Sequence, residues 1–197
     1  MPERTAPEGT VKLTDPRALR AVAHPTRLAL VGLLRREGPL TATQAGEAIG
    51  ESAASCSFHL RQLAKYGLVE EAGGGRGRER PWKATAMFTE WPETGLTAET
   101  DLATELLSSV VAEFFFEGVM GWLGRRRDEP AEWREAAPFG DTILYLTADE
   151  LAELGKRMRA AADPYMARTA HADQRPDDAR AVSVLHLAFP LAEEPGG

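Results

Sequence analysis

The sequence predicts a mainly α-helical protein with small β elements, and three patterns within its 197 residues support that prediction. Between residues 15 and 66, short runs with apolar side chains at helical spacing alternate with capping residues and glycines. From residue 68 to residue 85, two strand-like runs flank a glycine-rich loop. From residue 98 to residue 127, apolar side chains recur over a length that predicts one long helix.

The first half of the chain is expected to contain four helices. Asp15 followed by Pro16 is a start signal for a short helix over residues 17–23. Thr26 is expected to cap the second helix, and Gly38 is expected to end it. The remaining two helices are expected over residues 43–49 and 52–66.

The helix over residues 52–66 has two chemically different faces. Cys56, Leu60 and Leu63 recur at helical spacing and are expected to be buried, and Ser52 is expected to be the N-cap. The opposite face carries small and polar side chains, which suit a surface that enters the major groove of DNA. These side chains are those of Ala54, Ser55, Ser57, Phe58 and Arg61. A solvated surface helix would show the same pattern, so this helix alone leaves both interpretations open.

A basic hairpin follows that helix. The glycines in residues 73–77 permit a chain reversal between the two strand-like runs. Arg76, Arg78 and Arg80 would place cations at the tip and exit of this hairpin, where they favour contacts with phosphates or a minor groove. A solvated hairpin without nucleic acid is the alternative. A helix pair followed by a basic hairpin is a more specific signal than either part.

Three segments resemble the signature segments of ArsR-type winged helix-turn-helix transcriptional regulators. They are Ala23–Leu30, Ser57–Leu63 and Lys65–Val69, which read AHPTRLAL, SFHLRQL and KYGLV. The resemblance covers about the first half of the chain. It implies a homodimer bound to a near-palindromic, double-stranded DNA operator, with Ser52–Leu63 as the recognition helix. It also implies repression that an effector relieves.

The resemblance suggests a role for each polar residue of this region. The groove-facing side chains of the recognition helix are expected at base edges. Ser52 and Lys65 are expected to point toward phosphates, and the three arginines of the hairpin toward the flanking groove.

The charge distribution agrees with a DNA-binding first half. Residues 1–92 hold 13 lysines and arginines and 10 acidic residues, a balance of +3. Residues 93–197 hold 10 and 20, a balance of −10, so the overall net charge is −7. A local basic patch can bind phosphates while an acidic remainder keeps non-specific affinity low.

A cytoplasmic location is expected. The N-terminal residues are polar and do not resemble a signal peptide. The apolar stretches are expected to be too short and too interrupted to span a bilayer. Cys56 is the only cysteine, which excludes an intrachain disulfide framework.

Three regions are expected along the chain: a flexible arm over residues 1–14, the winged helix-turn-helix domain over residues 15–92, and a dimerisation and effector region over residues 93–197. Residues 87–97 are expected to be a connector. The apolar stripe of the long helix is wide and predicts a second subunit. Its dimerisation residues are expected to be Leu102, Leu106, Val110 and Phe114. Packing within one chain is the alternative.

The C-terminal region is expected to form a strand, a helix and a second strand. The strands are expected over residues 141–146 and 181–189, where apolar and β-branched side chains dominate. Thr147 and Glu150 have the spacing of a capping box for the helix, which is expected to reach about residue 166. A right-handed crossover would make the two strands parallel.

No metal site or cofactor is expected, because Cys56 stands alone and the four histidines form no close pair in sequence. A small organic effector is the preferred ligand hypothesis, and ordinary core packing of the aromatic residues is the alternative. The residues expected to line such a pocket are Phe115, Trp122, Trp133 and Phe139.

No enzyme is expected, because the sequence has neither a phosphate-binding glycine motif nor a nucleophile motif. The function predicted from these observations is a sequence-specific DNA-binding transcriptional regulator, a homodimeric repressor relieved by a non-metal effector. Two alternatives remain: a winged helix that binds another protein, and a DNA-binding regulator without a ligand.

Overall fold

A computed structural model describes residues 9–74, 80–92 and 97–192, except for the side chains of Ala170 and Ala172. Helices dominate these residues and four short strands accompany them, so the mainly α prediction is confirmed. The elements, in chain order, are β1 Thr10–Lys12, α1 Pro16–Val22, α2 Pro25–Glu37, α3 Ala42–Ile49, α4 Ala53–Lys65, β2 Val69–Glu71, β3 Trp82–Ala84, β4 Phe88–Glu90, α5 Ala98–Arg125, α6 Ala131–Ala136, α7 Ala148–Ala160 and α8 Asp163–Ala170.

The start signal of α1 is confirmed, and that of α2 is not. Asp15 Oδ1 accepts a hydrogen bond of 2.8 Å from a backbone N–H of the first turn, and Pro16 is the first helical residue. At α2 the N-cap is His24, whose Nδ1 accepts a hydrogen bond of 3.2 Å from the N–H of Thr26. The prediction of a Thr26 cap is wrong because Pro25 begins the helix, a position at which its missing N–H costs no hydrogen bond.

One hydrophobic core joins α1 to α4 with β2, β3 and the first half of α5. α1 packs along α5, and α3 packs against α4. Each buried leucine contributes roughly 1.5–3 kcal/mol. The largest fully buried side chains are Leu19, Leu30, Leu34, Leu60, Leu63, Leu68 and Leu107.

The first described residues are docked on the domain. β1 pairs in parallel with β4, and Leu13 is only 3% exposed. Residues 10–12 of the expected arm are docked as a strand on residues 88–90 of the expected connector, while residues 1–8 and 93–96 lie outside the described residues. Two three-residue strands far apart in sequence leave no local signal, because each is stabilised mainly by the other.

A half-buried arginine connects α2 to the chain that follows the hairpin. Arg35 Nε donates a hydrogen bond of 2.9 Å to the carbonyl oxygen of Ala86, and its Nη2 donates one of 2.7 Å to Thr89 Oγ1. Burial lowers the pKa of Arg35 to about 10. The guanidinium therefore stays charged at neutral pH, and its bonds to polar oxygens offset part of the cost of desolvation.

α5 is buried only along its first half. Ala103, Thr104 and Leu107 lie in the core, and no described residue beyond Leu107 is fully buried. The helical run over residues 98–128 is long and apolar enough to cross a membrane by length and composition, so the expectation that every apolar stretch is too short and interrupted is wrong. Glu113 and Glu117 are the charged residues between positions 106 and 124, and the other charges of the run lie nearer its ends. A helix enclosed within an assembly passes the same test, so the finding is weak evidence for a membrane.

The C-terminal helix is confirmed, but its flanking strands are not formed. Thr147 Oγ1 accepts from the N–H of Glu150 at 3.3 Å, and Glu150 Oε2 accepts from the N–H of Thr147 at 2.8 Å, which completes the predicted capping box of α7. The helical region ends at residue 170, in two helices instead of one. Residues 141–146 and 181–189 form no strand, because no described neighbour pairs with their backbone groups.

Thr104→Val is expected to stabilise the fold by about 1 kcal/mol, because the buried Oγ1 of Thr104 has no hydrogen-bond partner among the residues that the structure describes. Thr100→Val is the matched control in the same helix. The hydroxyl of Thr100 lies 3.0 Å from that of Thr97, so its loss is expected to destabilise the fold by about 0.5–1.5 kcal/mol. Urea unfolding followed by circular dichroism measures both changes. Equal changes in the free energy of unfolding for the two substitutions would contradict the difference in hydrogen bonding between Thr104 and Thr100.

Candidate nucleic-acid interface

The turn between α3 and α4 sets the geometry of the interface. Gly50 ends α3 in the left-handed conformation with φ of 74°, and Ser52 Oγ accepts a hydrogen bond of 3.1 Å from the N–H of Ser55 as the N-cap of α4. The backbone at Gly46 lies so close to the turn that a Cβ there would stand 2.5 Å from the carbonyl oxygen of Glu51. α3 and α4 can therefore approach each other this closely only with glycine at position 46.

α4 has the two faces that the sequence predicts. Cys56, Leu60 and Leu63 are fully buried, which confirms the predicted inner stripe. The outer face presents a stripe with side chains at helical spacing on the side opposite the core. This outer stripe consists of Ala54, Phe58, Arg61 and Lys65, all exposed.

The serines of α4 occupy different positions relative to the outer stripe. Ser57 is half-buried at its edge, and Ser55 is half-buried on the opposite flank. Ser52 is exposed at the start of α4, where its oxygen is already used in capping. Its hydroxyl proton remains available for donation.

The hairpin carries its cations beside carboxylates. β2 and β3 are antiparallel, with Val69 opposite Ala84 in register. Arg80 Nη1 lies 2.7 Å from Glu71 Oε2, and Lys83 Nζ lies 3.0 Å from Glu70 Oε1. Both pairs are exposed, so they contribute little to stability and can exchange for phosphate contacts.

The two other hairpin arginines predicted at the DNA, Arg76 and Arg78, lie outside the described residues.

The sequence did not predict a pair of histidines that lies behind the outer stripe. His24 and His59 are 35 positions apart in sequence, yet their ring centroids are 4.6 Å apart. Burial lowers the pKa of both imidazoles, and the nearby charge of Arg27 lowers it further, while Glu51 acts in the opposite sense. His59 Nδ1 is buried without a hydrogen-bond partner in the described residues. The pair therefore links α2 to α4 in its neutral form.

The sulfur of Cys56 is shielded within the core. Its side chain is fully buried, and burial followed by the charge of Glu51 raises the pKa of the thiol. A protonated, inaccessible thiol is a poor nucleophile and a poor metal ligand. Among the described residues, no group of three or more His, Cys, Asp or Glu side chains could hold a metal ion.

The residues predicted for an effector pocket are not gathered in one cavity. An open cavity of about 520 Å³ includes only Phe139 of the four. Arg125 stacks on Trp122 at 5.6 Å, and Arg180 stacks on Trp133 at 4.9 Å. The residues lining this cavity are Arg126, Arg127, Arg134, Glu135, Ala137, Pro138 and Phe139.

The residues predicted for dimerisation lie along one side of α5. Leu102 is 64% exposed and Leu106 is 47% exposed, while Val110 and Phe114 are half-buried. Phe114 contacts Phe115 edge-on, with ring centroids 5.7 Å apart. These side chains are accessible to a partner in a single copy of the chain.

Comparison with known proteins agrees with this geometry. The family model of a helix-turn-helix domain matches residues 22–72, which extend from the end of α1 through β2. A search of curated proteins returned no match to the chain. The matched quarter of the chain contains the α3–α4 pair and the outer stripe. The chain therefore carries a helix-turn-helix domain, which is the kind of domain that DNA-binding regulators use.

Gly46→Ala is expected to destabilise the fold by about 1–3 kcal/mol, because the new methyl group would collide with the backbone of the turn. Gly32→Ala is the matched control, since Gly32 is an exposed position inside α2 with no atom within 4 Å of an added Cβ. The control is expected to stabilise by about 0.5–1 kcal/mol. Urea unfolding at one fixed protein concentration measures both, and destabilisation by the control alone would contradict the assignment.

The histidine pair predicts a loss of stability in acid. Folding lowers the pKa of both histidines. The contribution of the neutral pair to the free energy of unfolding is therefore complete above the unfolded pKa of about 6.5, and it is lost as the pH falls through the folded pKa values. His24→Asn with His59→Gln keeps a side-chain cap on α2 and removes both titrations. The melting temperature is expected to fall less between pH 7.5 and pH 5 in this variant than in the parent chain. An equal fall in melting temperature in both proteins would contradict the prediction.

Proposed function

We propose that the protein is a cytoplasmic, homodimeric transcriptional repressor of the ArsR type that binds a double-stranded DNA operator and is released by a non-metal effector. It needs no cofactor and performs no catalysis in this proposal. The observation that supports the proposal most directly is the outer stripe on a helix that the core holds from behind.

The outer stripe offers chemistry that can read DNA. Arg61 has the donors for a bidentate contact with guanine, and Phe58, 52% exposed, offers an apolar surface to a thymine methyl group. Lys65 lies one turn further along, where a flexible ammonium can reach a phosphate. The exposed ring of Phe58 can contact a base pair in a major groove.

Dimer formation supports this use of the helix. One recognition helix reads a half-site of a few base pairs, whereas two helices related by a two-fold axis read both halves of a palindrome. The exposed Leu102 and Leu106 on α5 supply an apolar surface for the second copy. α5 also packs on α1, so a change at the dimer contact can be transmitted to the DNA-binding domain.

The effector is proposed to act through the same region. The cavity beside the end of α5 combines three guanidinium groups with the ring of Phe139. Cations beside an aromatic surface favour a small organic molecule with an acidic group. Such a ligand would change the separation of the two recognition helices by shifting the end of α5.

Arg61→Ala is expected to weaken operator binding by about 10- to 100-fold and to reduce discrimination against altered operators, because it removes a base contact. Lys65→Ala is expected to weaken binding to all sequences similarly and to reduce the slope of log affinity against log salt by about 1. Mobility shifts with the protein's own promoter fragment over a range of salt concentrations measure both effects.

Arg157→Ala is the control for these variants, because Arg157 lies on α7 and is paired with Glu153 at 3.1 Å, away from the helix-turn-helix domain. It is expected to leave DNA affinity unchanged. A parent chain that binds no promoter fragment at low salt but forms a stable complex with another protein would overturn the proposal in favour of a protein-binding winged helix.

A further inference from the structure

A single copy provides no core for the C-terminal part of the chain. Among the described residues from 108 to 192, none is fully buried. α7 has an apolar face at Leu151, Leu154 and Met158, but this face is only half-buried. Sixteen large apolar side chains between Leu102 and Leu191 are exposed. Ordering such a segment costs conformational entropy that buried apolar area must offset, and one copy does not supply that area.

Two segments of this region have the composition of strands but lack strand partners. They are residues 141–146 and 181–189. Ile143 is 68% exposed, Tyr145 is 98% exposed and Val184 is 62% exposed. Within the described residues, no backbone hydrogen bond joins residues 141–146 or 181–192 to another part of the chain. Unpaired, β-prone apolar segments are templates for pairing with another chain.

Both segments carry apolar side chains on both faces. In the first, Ile143 and Tyr145 alternate with Leu144 and Leu146. In the second, Val182 and Val184 alternate with Leu185, Leu187 and Phe189, and its polar positions are Ser183 and His186. A strand with one solvated face alternates apolar and polar residues, whereas a nearly continuous apolar run is typical of a strand that is covered on both sides. Each segment therefore has unpaired backbone groups at its edges that neighbouring strands can pair with, and apolar side chains on both faces that packing layers can cover.

We infer that residues 141–146 and 181–189 form strands of a sheet that is completed only between two copies of this chain, and that this sheet covers the exposed half of α5. The inference rests on the proposed homodimer and specifies what builds it. Two strands are too few for a stable sheet, but two copies supply four. The second half of α5 is apolar except along the side that carries Glu113 and Glu117, and its apolar sides can form one of the layers that the sheet requires.

Charge and area favour a second copy as the partner. Glu99 and Asp101 lie in the first turn of α5, and Arg125, Arg126 and Arg127 lie at its end. An antiparallel pair of α5 helices brings the acidic end of one copy beside the basic end of the other. The sixteen exposed apolar side chains could bury on the order of 1,000 Å² per copy, above the roughly 800 Å² per partner of a standard interface.

Hydrogen–deuterium exchange of the full chain tests the inference. It is measured at protein concentrations above and below the dissociation constant of the dimer. Backbone amides in residues 142–146 and 182–189 are expected to be protected at least about 10-fold in the dimer and to lose that protection on dilution. Val184→Pro removes a ladder donor and is expected to abolish the protection in both segments, while the amides of α2 to α4 stay protected. Asp177→Pro is the matched control, since it lies in the turn closed by the 3.0 Å bond from Ala179 N to Pro176 O.

Disulfide trapping distinguishes pairing between copies from pairing within one copy. One tagged chain carries Leu144→Cys and a differently tagged chain carries Val184→Cys, and neighbouring positions are tested in the same way to sample the register. A covalent dimer of the two tags supports the inference. A disulfide formed only when both cysteines lie in one chain overturns it.

The remaining outcomes separate this inference from the proposed function. Unprotected segments in a chain that dimerises and binds its operator overturn the inference alone. A monomer that binds no DNA overturns both. A monomer that associates with phospholipid vesicles through α5 assigns its apolar surface to a membrane and overturns the inference.

Discussion

The close approach of α3 and α4 at Gly46 is the contact on which the rest of the DNA-binding domain depends. A Cβ at this position would stand 2.5 Å from a carbonyl oxygen of the turn, so the helix pair can close to this distance only around a glycine. With the pair closed, Cys56, Leu60 and Leu63 enter the core and Phe58 and Arg61 are left outside. The orientation of the outer stripe is thus a consequence of packing on the opposite side of the same helix.

The two halves of the chain differ in how much of their apolar surface one copy buries. The first half buries its leucines within one copy, and Leu107 of α5 contributes to that core. Beyond this residue, the described chain keeps large apolar side chains in solvent, among them Tyr145 at 98% exposed. The same chain therefore combines a domain that buries its own core with a region whose described residues leave large apolar side chains exposed. This division allows events in the second region to act on DNA binding, since α5 belongs to both.

Local sequence signals predicted the parts of the fold that local chemistry determines. The inner stripe of α4, the Ser52 cap and the capping box of Thr147 with Glu150 all follow from side chains within one or two turns of each other. Long-range contacts escaped prediction: the pairing of β1 with β4, the stacking of His24 on His59 and the bonds of Arg35 to the segment after β3. In each case the partners are separated by 35 or more positions, and neither member carries a signal for the other.

The sequence by itself determined where the helices of the DNA-binding domain lie, because capping residues and apolar periodicity are local features of each segment. It also determined which side chains of α4 face away from the core, because a helix with one buried stripe has only one opposite face. Only the tertiary structure decided that His24 caps α2, that the N-terminal residues dock as a strand, and that residues 141–146 and 181–189 remain unpaired in one copy. Strand formation depends on a neighbour that accepts the backbone hydrogen bonds, and β-prone composition cannot specify whether that neighbour belongs to the same chain.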